Sequence, residues 1–277
     1  MKPGDPPAPW GWAGEVCVRP EALPGELALR LPFAPRWRAE QIAGCFVLVR
    51  CSVESTATRT LDWGLYRRRA LAVTGVHADA EGTELRLWLP QDPDPGHGWL
   101  ARVAPGDRLH CLGPWGRGYR LHEQTRHLLL LAHLAADPGA LARLLPLVNP
   151  TLDRGGRVAV VARVAGDGPG GPLQVPLPIP VEVRVAVDEE EWLGHLEETL
   201  AWADQVCGEM PMAAWGAVAE TVRRVRFRLD EGFCQMRVAA EMVCGTGGCL
   251  ACVVSLPRGG FTRACVHGPV FDLTWFA

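Results

Sequence analysis

From Glu15 to about Leu121, apolar and polar positions alternate in short runs rich in Val, Leu and Arg. The runs are Glu15–Arg19, Glu26–Leu31, Cys45–Cys51, Ala70–Val76, Glu84–Leu89 and Arg108–Leu112, and turn residues at Pro24-Gly25, Glu81-Gly82 and Pro105-Gly106-Asp107 divide them. Short strands at this spacing predict a six-stranded antiparallel β-barrel over residues 15–122. After His122 the period changes. An apolar run His127–Leu131, an amphipathic stretch Gly139–Val148, and runs Arg157–Ala162 and Val181–Val187 are followed by a helical pattern over Glu189–Trp202. A short strand ending at Cys207 and a further helix from about Pro211 to Arg224 complete the region. Strand and helix in alternation predict a small parallel α/β layer over 123–225, interrupted by a Pro- and Gly-rich loop, Gly166–Pro180. Residues 226–277 form a third region with an apolar tail, and 1–14 a flexible start. The fold class expected is therefore multidomain, β plus α/β.

A chain of 277 residues can bury a core without disulfide staples. The net charge of -3 offers no basic field for nucleic acid. Met1–Gly14 lacks the apolar segment of a secretion signal, and no apolar run of about 18 residues follows, so the expectation is a cytoplasmic protein outside the membrane. Lys2 is the sole lysine, which carries no functional weight.

Ten cysteines without a secretion signal point to reduced thiols, some of them metal ligands. Cys17, Cys45, Cys51, Cys111, Cys207 and Cys234 are scattered through apolar stretches and read as small core residues. Cys244, Cys249, Cys252 and Cys265 crowd into the last 34 positions as C-x4-C-x2-C with a fourth Cys after twelve more residues. That is the spacing of plant-type [2Fe–2S] sites. Between the first two lie Gly245, Thr246, Gly247 and Gly248, which suits a loop that must turn its amides toward sulfur and adopt positive φ. Zinc sites more often pair two short Cys elements across a longer insert, and buried thiols need no near-glycine loop. A cluster of this kind moves one electron at a time and supplies no acid, base or nucleophile, so the chemistry it implies is electron relay.

Other features read as structure. His127 and His133 flank an apolar run with no nucleophile or carboxylate placed beside them by sequence. Asp188-Glu189-Glu190-Glu191 complements a helix N-terminus. The tryptophans, among them Trp10, Trp12, Trp88, Trp115, Trp192, Trp215 and Trp275, read as core or interface anchors. Gly168, Gly170 and Gly171 precede no lysine or helix start and make no phosphate loop.

The run from Cys234 to Val254, with Cys265-Val266-His267-Gly268-Pro269-Val270-Phe271, resembles the C-terminal region of the electron-transfer subunit of type-B dihydroorotate dehydrogenase, whose cluster motif is followed by Cys-x-x-Gly-Pro-Val-Phe. The resemblance extends to Gly113-Pro114-Trp115-Gly116 with Tyr119, which is similar to the end of that family's flavin-binding barrel. Cys207-Gly208-Glu209-Met210-Pro211-Met212 is similar to the C-G-P-x-P-M element of a ferredoxin-reductase-like nucleotide domain. The resemblance implies FAD in the barrel, NADH at the α/β domain, a small C-terminal [2Fe–2S] domain, and a hetero-oligomeric partner carrying FMN that oxidises dihydroorotate in pyrimidine biosynthesis.

Measured against that family, the flavin segment R-P-x-S reads Arg69-Ala70-Leu71-Ala72, keeping the Arg and losing the hydroxyl. The Gly-Thr that meets the phosphates corresponds to Gly96-His97. Where a glycine-rich turn would admit NAD pyrophosphate, the chain reads Leu131-Ala132-His133-Leu134-Ala135-Ala136-Asp137-Pro138-Gly139, and Glu209 replaces a proline. Two acidic residues then stand where a phosphate would, which argues against NAD. The leading expectation is an iron–sulfur subunit relaying electrons to or from a partner dehydrogenase with FAD bound. The alternative is a structural or adaptor iron–sulfur subunit without FAD or NAD.

Overall fold

The computed structural model describes residues 11–17, 23–33, 37–53, 63–80, 82–166 and 175–277. The expectations for residues 1–10, for Arg19, and for Gly168, Gly170 and Gly171 lie outside the described residues.

Strands β1 (Trp12–Cys17), β2 (Glu26–Arg30), β3 (Phe46–Val53), β4 (Arg69–Asp79), β5 (Gly82–Trp88) and β6 (Arg108–Trp115) close into a barrel in the order β1-β2-β5-β4-β3-β6. Every pairing in it is antiparallel. Short helices α1 (Ala39–Ile42), α2 (Trp63–Tyr66) and α3 (Pro95–Leu100) sit in its connections. β1 begins three residues before the sequence suggested, because Trp12 to Glu15 pair with β6 and the Trp12 indole donates to Gly113 O at 2.8 Å. The period-two pattern works on both sides of β3. Val47 and Val49 fill the barrel, while Phe46 and Leu48 enter the core formed by the α/β sheet and the C-terminal segment.

The second sheet runs parallel through β7 (His127–His133), β8 (Arg157–Arg163), β9 (Glu182–Ala186), β10 (Gln205–Glu209) and β11 (Cys234–Arg237). Leu128 and Leu130 face one core and Leu129 and Leu131 the other, which is why β7 reads as an unbroken apolar run. Its helices are α4 (Ala140–Leu144), α5 (Val148–Asp153), α6 (Glu189–Leu200) and α7 (Trp215–Arg226). The amphipathic stretch Gly139–Val148 is not one helix. A 3-10 turn at Leu145–Leu147 separates α4 from α5, and Pro146 in it has no N–H to continue the ladder. Asp188 caps α6 by accepting from Glu191 N at 2.9 Å, as the acidic run suggested.

The remaining residues form a hairpin, β12 (Val253–Ser255) and β13 (Phe261–Arg263), helix α8 (Ala264–His267), and β14 (Val270–Asp272). The boundary expected at 225/226 does not divide the structure. β11 lies beside β10, β14 returns antiparallel outside β11, and the sheet order is β14-β11-β10-β7-β8-β9. Cys234 and Met236 are fully buried, so the stretch read as a lead-in to the cysteine motif is a core strand. Cys45, Cys51, Cys111, Cys207 and Cys234 are buried as expected, while Cys17 is half-buried. Burial pushes the Cys45 and Cys51 thiols up to about 11 and Cys111 to about 12. No helix among the described residues is long and apolar enough to cross a membrane.

Candidate functional site

Cys244, Cys249 and Cys252 lie on an irregular loop between β11 and β12, and α8 carries Cys265 to it. The loop is held in shape by three left-handed residues: Gly245 (φ 70), Gly247 (φ 77) and Leu250 (φ 61). Neither glycine can be replaced without displacement. A Cβ at Gly245 would stand 2.2 Å from the Trp115 ring, and one at Gly247 would stand 2.8 Å from Val266 Cγ2. Arg263 fixes the loop by donating to Gly247 O at 3.1 Å, and Ala264 N donates to Cys252 O at 2.9 Å.

Cys252 Sγ and Cys265 Sγ are 3.2 Å apart, and the amide and thiol of Cys249 lie within hydrogen-bond reach of Cys244 Sγ. Among the described residues no three Cys, His, Asp or Glu side chains are grouped closely enough to hold a metal ion. Backbone amides serve the sulfurs, with Thr246 N 3.4 Å from Cys244 Sγ and Cys265 N 3.5 Å from Cys252 Sγ. Burial would raise the Cys244 thiol, but the Cys249 amide, the Thr246 hydroxyl and amide and the Cys249 thiol outweigh it and bring it down to about 5. Burial, then the adjacent Cys252 thiol, pushes Cys265 up to about 12. Cys252 and Cys265 are buried, whereas Cys249 is exposed, so the site has an inner and an outer end.

In the barrel, the structure brings Arg69, Gly96 and His97 together. The buried Arg69 guanidinium donates from Nε to Asp94 Oδ1 at 2.6 Å, from Nη1 to Arg67 O at 2.5 Å and from Nη2 to Gly64 O at 2.5 Å. Asp94 Oδ1 also accepts from Gly96 N (2.7 Å) and His97 N (3.0 Å), capping α3. The His97 ring is engaged by Asp92 at 2.8 Å. Gly96 admits the guanidinium, since a Cβ there would stand 2.4 Å from Arg69 Cζ. Leu71 points into the barrel core, Ala72 is buried, and Ala70 packs on the shared core, so none of the three offers a polar group. Asp94 is the residue that sequence reasoning missed. Its signal was an Asp immediately before a Pro, the pattern of an N-cap followed by a proline in the first turn.

At the α/β domain, Asp137 and Glu209 do stand at the strand ends where a nucleotide phosphate would lie, but they are not free charges. Arg143, buried at 5% side-chain exposure, donates from Nε to Glu209 Oε2 at 2.9 Å and from Nη2 to Asp137 Oδ2. Glu209, 3% exposed, also meets Arg237 (3.5 Å) and the Tyr119 hydroxyl (3.3 Å). Burial disfavours the Arg143 charge, and the Glu209 and Asp137 carboxylates outweigh it. Asp137 Oδ1 accepts from Gly139 N at 2.9 Å, and the Trp88 ring covers Gly139 so closely that a Cβ would stand 2.2 Å from it. A cleft of about 750 Å³ between barrel and sheet is lined by Trp88, Asp92, Asp137, Arg143, Glu209 and Arg237. The amide and the cation that a pyrophosphate would need are taken by side chains of the protein itself, so the residues do not fit NAD in the manner of a glycine-rich turn.

Residues 240–275 match the family described as the iron–sulfur cluster binding domain of dihydroorotate dehydrogenase B. No curated protein matches the chain in sequence. Among solved structures, a chain of the NADH-dependent reduced ferredoxin-NADP oxidoreductase, determined for its flavin-based electron bifurcation, superposes with a TM-score of 0.64 at 17% identity, covering 95% of this chain and 89% of its own. A siderophore utilization protein from T. fusca gives 0.51 at 19% identity, with 82% and 91% covered. The ferredoxin reductase of carbazole 1,9a-dioxygenase gives 0.51 at 17% identity, with 80% and 67% covered. At such identities the likeness speaks for the fold, and the family match speaks for the C-terminal segment. The chain has the ferredoxin-reductase-like fold of barrel and parallel sheet, and its residues 240–275 are similar to the iron–sulfur cluster binding domain of dihydroorotate dehydrogenase B.

Proposed function

We propose that this chain is an electron-transfer subunit that relays single electrons through a [2Fe–2S] cluster held by Cys244, Cys249, Cys252 and Cys265, to or from a partner dehydrogenase in a hetero-oligomer. The match of residues 240–275 to an iron–sulfur cluster binding domain, over a loop that carries the four cysteines and turns amides toward two of their sulfurs, is the observation that supports it most directly. Amides aimed at sulfur stabilise the more negative reduced cluster and help set its potential. Cys244, Cys249, Cys252 and Cys265 would hold the cluster as thiolates, and the cluster would supply one-electron chemistry. The family resemblance points to an FMN-dependent dehydrogenase as the partner and to pyrimidine biosynthesis as the setting. Ten free cysteines accord with a reducing, cytoplasmic environment. The outer cysteine pair, rimmed by exposed Leu250 and Val253, is the end of the site a partner can approach. Between a relay that carries its own FAD and one that does not, the engagement of Arg69 by Asp94 favours the second.

Anaerobically purified protein tests this reading. Iron and acid-labile sulfide in equal amounts, visible absorption bleached by dithionite, and the paramagnetic signal of a one-electron-reduced cluster are expected. Zinc without labile sulfide would overturn it.

A further inference from the structure

We infer that the Asp94 carboxylate is a built-in occupant of the barrel's anion site, so that the barrel folds and functions without a flavin dinucleotide. The inference rests on reading this barrel as one of flavin type. A dinucleotide's pyrophosphate is held by a combination the structure displays in full: a buried guanidinium beside two backbone N–H groups at the start of a helix. Here those groups are Arg69 Nε, Gly96 N and His97 N, and all three donate to the single oxygen Asp94 Oδ1 at 2.6–3.0 Å. The other two guanidinium nitrogens each donate to a backbone carbonyl, Arg67 O and Gly64 O, which fixes the group against the chain.

Charge makes the same point. Arg69 is balanced by Asp94, and the nearby exposed Arg67, 3.9 Å from Asp94 Oδ2, is itself paired with Glu241. A pyrophosphate entering here would meet a carboxylate already seated on the guanidinium and both amides, which is unfavourable in a partly buried setting. Burial would raise the Asp94 carboxyl, but the Arg69 guanidinium and the amides of His97 and Gly96 outweigh it and hold it below the usual carboxylate range, so it stays charged in its role. The neighbouring sheet repeats the device, with Asp137 on Gly139 N and on Arg143. Once both sites carry an internal carboxylate, the cluster is the remaining redox group. Its electrons then come from a one-electron donor or a flavin on another subunit.

The full, cluster-loaded chain tests this. Wild-type protein passed through FAD and desalted should release no flavin on acid extraction, and neither FAD nor inorganic pyrophosphate should raise its melting temperature. Asp94→Ala, which empties the site and strands Arg69, should melt lower and should bind inorganic pyrophosphate about tenfold or more tightly than wild type, with its melting temperature restored by that anion. Stoichiometric FAD retained by the wild type would overturn the inference, as would an Asp94→Ala variant that neither loses stability nor responds to pyrophosphate. Should that variant not fold, the wild-type flavin measurement decides alone. A chain holding both cluster and FAD would sink this inference and leave the relay standing; a chain holding neither would do the reverse.

Discussion

The indole of Trp115, at the end of β6, lies directly on Gly245 of the cysteine loop, with no room for even a methyl group between them. Barrel and cluster loop therefore position each other. Gly245→Ala should lower the iron content per chain and destabilise the fold, because it adds a clash to a left-handed backbone that alone costs a side chain about 1–2 kcal/mol. Gly155→Ala separates the two effects, since Gly155 has φ 74 with open space around it. It should show only the backbone cost in a denaturant titration and keep full iron.

The cysteines should divide by burial. On the proposed reading Cys249→Ser removes an exposed ligand, so the chain should lose its visible absorption and keep nearly all its thermal stability as an apoprotein. Cys252→Ser places a hydroxyl in the core among Met242, Val254 and Ala264, and should lose both. Equal stability in the two variants would contradict a site with an inner and an outer end.

Arg143→Met should cost about 3–5 kcal/mol in unfolding free energy, because it leaves the 3%-exposed Glu209 without its closest cation. Adding Glu209→Met should recover much of that loss, and a double-mutant cycle measures the coupling. Coupling near zero would mean that the network is not what holds this end of the sheet.

Acid should act through the same groups. Asp94 and Asp137 both have folded values below the ordinary 3.8. Below pH 3.8 the unfolded chain takes up protons first, so the stability these pairs contribute is present above that pH and is lost as pH falls through the depressed folded values. Asp137→Asn should flatten stability against pH in that window and leave the neutral range parallel to wild type.

Gly194 sits exposed in the middle of α6, and a methyl group placed on it would meet nothing within 4 Å. Gly194→Ala should raise stability by about 0.5–1 kcal/mol through helix propensity alone, read as a higher denaturant midpoint with unchanged slope.

The strands of the barrel and of the α/β layer were legible because alternation and apolar runs are local properties of the chain, as in Phe46 to Val49 and in Leu128 to Leu131. The cysteine motif was legible for the same reason: its spacing and its glycines lie within one short segment. Residues 226–277 looked like a separate region because Cys234–Arg237 is too short to signal a strand by itself. It becomes one because β10 and β14 lie on either side.

By itself, then, the sequence determined the barrel, the α/β alternation and the cluster-type loop, and it named Arg69, Gly96, Asp137 and Glu209 as positions of interest. Only the tertiary structure decided what those charges do. Arg69 is answered by Asp94 across 25 residues and Glu209 by Arg143 across 66. A carboxylate far along the chain can stand in for a phosphate or repel one, and which it does depends on whether the fold brings a guanidinium within hydrogen-bond reach of it.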